Sequence, residues 1–116
     1  MSIEIKKTRV INDGLHNGKI VEVERRQDKH DYTDYHILLE DGAKIKHGVP
    51  TDVYVDEATG KPQSKHARLL SALGFVLTES VDPKKAIGMK INVEIRHETS
   101  DRGSFAKVVD GSIKKV

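Results

Sequence analysis

The chain has 116 residues, no cysteine, 36% hydrophobic and 33% charged side chains, and a formal charge of +2. That length fits one domain able to bury roughly two-thirds of its unfolded surface, and the missing cysteine excludes disulfides, thiol catalysis and cysteine-based zinc sites. Twenty basic against eighteen acidic residues exclude a strongly cationic protein, so any basic surface must be a local patch.

With three Tyr, two Phe and no Trp, the core must be built from Val, Ile and Leu. The opening MSIEIKK is charged and nothing that follows is apolar for long enough to cross a bilayer, which predicts a soluble, cytoplasmic protein. Residues 1–13 carry Ile3, Ile5, Val10 and Ile11 and read as an edge strand or an arm. Leu15 to Gln27 reads as a long first strand with Val21 and Val23 on one face, Glu22 and Glu24 on the other, and a bulge at Gly18 that excuses Ile20. Tyr32 to Glu40 is a second strand. A three-residue loop, Glu40-Asp41-Gly42, pairs Ile37 with Ile45 and Leu39 with Ala43. That register segregates Tyr35, Ile37, Leu39, Ala43, Ile45 and His47 from His36, Leu38, Lys44 and Lys46. The third strand is expected to run on through Val53 and Val55, with Tyr54 on the side of Lys44 and Lys46.

Ser64 to Phe75 is the one convincing helix. Ala67, Leu69, Leu70, Ala72 and Leu73 form its apolar stripe, Lys65, His66, Arg68 and Ser71 cover the rest, Ser64 caps and Gly74 stops it. Asp82-Pro83 opens a single turn that ends at Gly88. Met89 to Glu98 alternates as a fourth strand, Thr99 to Gly103 is a polar loop, and Ser104 to Val109 is a fifth strand in which either Phe105 or Val108 points inward. Residues 111–116 read as a basic tail. Three strands, a helix and two strands in a single domain spanning residues 1–116 is the order of an all-β, five-stranded Greek-key barrel, the OB-fold. An α+β sheet with the helix on one face is the alternative.

OB-folds bind oligomers on the face of the second and third strands, so the basic residues there are the candidate site. Lys44, Lys46 and His36 share that face, with Tyr54 further along. Arg25, Arg26 and Lys29 flank the loop between the first two strands, and Arg102 lies in the last hairpin. Cations would follow phosphates, while Tyr54 and Phe105 are the aromatic faces on which bases stack. Glu22, Glu24, Asp52 and Asp56 dilute the patch, and the bland reading is an ordinary solvated sheet face.

Other constellations are weaker. His16, His30, His36, His47, His66 and His97 show no metal-binding spacing, and the predicted register sets His36 and His47 on opposite faces. Gly60-Lys61 lacks the remainder of a phosphate loop. Asp52 with Asp56, or Asp28 with Asp31, lacks the third carboxylate that a two-metal nuclease needs. The expectation is a protein without catalytic activity, cofactor or metal.

Three stretches, GKIVEVERRQ, GKPQSKHARLLSALG and DPKKAIGMKINVEIRHE, resemble a family of phage-encoded single-stranded-DNA-binding-like proteins. There a short helix ending Leu-x-x-Leu-Gly precedes a Pro-containing turn and a Gly-Lys strand start. Here Gly88 is kept and Lys90 comes one place late. The similarity spans roughly residues 14–110 and rests on caps, stops and strand starts. It implies an OB-fold that binds single-stranded DNA, with RNA as a possible substitute, during phage replication or recombination in a bacterial host cell, as a monomer or homo-oligomer. It identifies no individual nucleotide contact. The rival class is a protein-interaction or assembly module on the same barrel, and a small hydrolase is a third.

Overall fold

A computed structural model describes residues 1–5 and 11–116. Its strands are β1 (Gly14–Gln27), β2 (Asp31–Leu39), β3 (Lys44–Pro50), β4 (Lys90–Ser100), β5 (Gly103–Val108) and β6 (Lys114–Lys115). Between β3 and β4 lie helix α1 (Lys65–Ala72) and a 3₁₀ turn, Pro83–Ala86. All the pairings are antiparallel, in the order β3-β2-β1-β4-β5, with β6 added to β4. β1 is therefore the shared strand: Gly14 to Lys19 pairs with β4, and Gly18 to Gln27 pairs with β2. The two outer strands, β3 and β5, approach within 8 Å, Cα to Cα, but form no ladder. The sheet curls without closing, so the expected all-β, antiparallel architecture with one helix is present as an open sheet.

The β2–β3 hairpin has the expected register. Ile37 lies opposite Ile45, the Leu39 N–H donates to the Ala43 carbonyl at 2.8 Å, and Gly42 takes the left-handed φ of +88°. Tyr35, Ile37, Leu39, Ala43 and His47 are buried in consequence, while Lys44 and Lys46 are exposed. β1 departs from expectation. The irregularity falls between Ile20 and Glu22, so the extra residue is Val21 and not Gly18. Skipping Val21 changes the parity, and Ile20 and Val23 both turn inward. Gly18 serves another purpose: a Cβ there would stand 2.9 Å from the Leu38 carbonyl oxygen and 3.0 Å from Ile37 Cγ2. It lets the β2 backbone come close where β1 changes partners.

β3 stops at Pro50, so the expected continuation through Val53 and Val55 is corrected. Val55 makes only an isolated bridge to Pro62. The chain is drawn off the sheet because the Thr51 carbonyl binds His66 Nδ1 at 2.7 Å. In α1 the Ser64 hydroxyl accepts from the Ala67 N–H at 3.2 Å. At the other end Gly74 has φ +91°, the Phe75 N–H donates to the Leu70 carbonyl, and the Gly74 N–H donates to the Ser71 carbonyl, a complete Schellman stop. The buried stripe is Ala67, Leu69, Leu70 and Leu73, joined by His66; Ala72 is exposed, which reverses the expectation for these last two.

Asp82 caps the 3₁₀ turn through the Lys84 N–H, as expected, and Gly88 follows at φ +95°. β4 buries Ile91, Val93 and Ile95. The last hairpin is tighter than expected: Ser100 pairs with Gly103, leaving only Asp101-Arg102 as the turn. Val108 points inward and Phe105 is about half exposed. The C-terminal residues do not form a loose tail, since Ile113 is buried and Lys114–Lys115 pair with β4. At the N-terminus Ile3 and Ile5 are exposed outside any strand and Ile11 packs on the core; Val10 falls outside the described residues.

Candidate nucleic-acid interface

The outward sheet face is built from residues that alternate with the core: Lys19 on β1, Asp34, His36 and Leu38 on β2, Lys44 and Lys46 on β3, and Lys90 and Asn92 on β4. Two regions of this face differ in charge balance. Toward the β1–β2 turn, cations meet carboxylates. Arg26 lies on this face, whereas Arg25, in register with buried Thr33, lies on the core side of the turn. There it grips Asp31 through two hydrogen bonds of 3.0 and 2.5 Å, and this hydrogen-bonded guanidinium holds the Asp31 carboxyl well below the usual carboxylate range. Arg26 reaches the buried Asp34 at 3.1 Å, stands 3.6 Å from Asp28, and lies over the Tyr32 ring with its guanidinium 5.2 Å from the centroid. Lys46 Nζ is 3.9 Å from the same Asp34, and His36 Nε2 is 2.5 Å from Glu24 Oε1 without hydrogen-bond geometry.

Four of the expected site residues are therefore engaged by acids: Arg25, Arg26, Lys46 and His36. Lys29, Lys44 and Arg102 are exposed, and none has an ion-pair partner among the described residues. Tyr54 does not stand beside Lys44 and Lys46 on a strand. It is 60% exposed in the segment after β3, held by its N–H to Ser64 Oγ at 3.1 Å and by its hydroxyl to Asp52 at 3.2 Å.

The second region adds Lys19, Lys90 and Lys114, which lie outside the expected site, to Lys44, which belongs to it. Leu38 lies opposite Lys44 on β3 and opposite Lys19 on β1, and Lys19 lies opposite Lys90 on β4. Lys114 on β6 faces Asn92, two residues along from Lys90. All four lysines are exposed. The alternation of β4 signals an outward Lys90, but the β1–β4 register joins residues far apart in sequence, and no local pattern specifies it.

Among the histidines, His36 and His47 lie on opposite faces as the register required. His66 Nδ1 donates to the Thr51 carbonyl and its Nε2 takes the Tyr35 hydroxyl at 2.5 Å, so it pins α1 to β2. Burial pushes the His66 and His47 pKa values down and that of Tyr35 up. No three His, Asp or Glu side chains converge in a metal-binding geometry among the described residues. No helix among them is long and apolar enough to cross a membrane. No protein-family model matches the chain, and no curated protein is significantly similar to it in sequence.

Proposed function

We propose that this protein is a small OB-fold-like module that binds single-stranded DNA, acting in phage replication or recombination within the bacterial cytoplasm. The observation that carries this reading is the arrangement of the sheet. One long strand is shared by two antiparallel halves, the only α-helix among the described residues lies between β3 and β4, and the outward face is studded with cations. Such a surface tracks phosphates without reading bases, and exposed Tyr54 and Phe105 supply stacking platforms. RNA offers the same phosphates and bases. A partly open barrel is compatible with an OB-fold. The test is fluorescence anisotropy with a labelled oligo-dT strand and a matched duplex at low salt. Selective binding of the strand is expected; no binding to either at high protein concentration would overturn the reading.

One observation favours the rival class. Among the described residues the edges of β3 and β5 have no strand partner on their outer sides, and an open edge is a template for another chain. An assembly module would form an oligomer that persists in high salt, whereas retention on DNA would not.

A further inference from the structure

The cations of this molecule divide into those answered by a carboxylate and those that are not. Arg25, Arg26, Lys46, Lys65, Arg96 and Lys107 each have an acidic oxygen within 4.0 Å. Lys19, Lys44, Lys90 and Lys114 are among those that have none among the described residues, and what sets these four apart is that the sheet register gathers them on one face. We propose that these four lysines are the track along which the phosphate backbone of a single nucleic-acid strand crosses the outward sheet face. The inference rests on the single-strand-binding reading and moves its phosphate contacts away from the β1–β2 turn, where the arginines are already paired.

Three observations carry it. Lys44, Leu38, Lys19 and Lys90 form one row straight across β3, β2, β1 and β4. With strands about 4.8 Å apart the row is about 14 Å long. Next, Lys19 and Lys90 are directly opposite each other, and like charges so placed destabilise a sheet unless an anion relieves them. Finally, Lys19, Leu38 and Lys90 line a depression of ≈ 440 Å³, with Asn17 and Glu40 at its wall. Glu40 is within ion-pairing distance of none of these lysines. Half-buried Leu38 is the one large apolar side chain in the row, with no aromatic beside it. Protein interfaces are depleted in lysine and enriched in aromatics at their centres, so the band suits a phosphate backbone better than a protein partner.

The experiment compares the full chain with Lys19→Gln/Lys90→Gln and with a control, Lys61→Gln/Lys84→Gln, whose sites are exposed and lie off the row. Binding of labelled oligo-dT is measured from 50 to 200 mM salt. Four phosphate contacts give a log–log salt slope of about −3, and removing two lysines should flatten it by about 1.4. Affinity at 50 mM should fall at least about ten-fold for the row variant and far less for the control. The thermal midpoint of the row variant should hold or rise, because a like-charge pair is relieved. If the wild type binds and the two variants behave alike, the lysine track is wrong while single-strand binding stands. If the wild type does not bind, the functional reading fails and takes the track with it.

Discussion

The pairing of Tyr35 with His66 shows how a polar side chain becomes part of a core. A helical wheel places His66 among the solvent-facing residues, yet it is 1% exposed because both ring nitrogens find partners. Tyr35→Phe keeps the packing and leaves His66 Nε2 without its hydroxyl, so a loss of about 1–3 kcal/mol is expected in urea unfolding. Both buried imidazoles also make stability depend on pH. Above the ordinary histidine pKa of about 6.5, neither the folded nor the unfolded chain binds the proton. Below it, the unfolded chain takes up a proton that burial denies His66 and His47, so stability falls with acidification until the folded imidazoles titrate as well. Asp110 opposes this effect at His47, whereas Lys65 and Lys107 reinforce it. Urea midpoints at pH 7.5 and 5.5 check the sign, and His47→Gln should shrink the difference between them.

At the level of elements, what the sequence made legible was local. The β2–β3 register followed from three turn residues and the segregation of two faces. The helix followed from its cap, stripe and Gly74 stop. What was not legible depends on partners distant in the chain. The bulge sits at Val21 because β1 must satisfy β4 and β2 in turn, and Gly18 is reserved for the close approach of β2. Gly18→Ala would force a Cβ against the Leu38 carbonyl. About 1–3 kcal/mol of destabilisation is expected, visible as a lower urea midpoint. β3 ends early for a similar reason: the hydrogen bond from His66 to Thr51 captures the chain for the helix, and Tyr54 leaves the face on which alternation had set it.

Across the whole molecule, the charges were visible in the sequence but their pairing was not. Arg25 and Arg26 stand out as a dibasic pair, yet the fold gives each an aspartate. Lys19, Lys90 and Lys114 look unremarkable one by one, and only the order of the strands collects them with Lys44. The proposed phosphate-binding role for this face therefore predicts an affinity that depends on salt. The most direct measurement is the affinity of the unmodified protein for an oligo-dT strand as salt is raised from 50 to 200 mM. Release of counterions from about four phosphates should weaken binding about fifty-fold over that range. Binding that ignores salt, or its absence at 50 mM, would contradict the account.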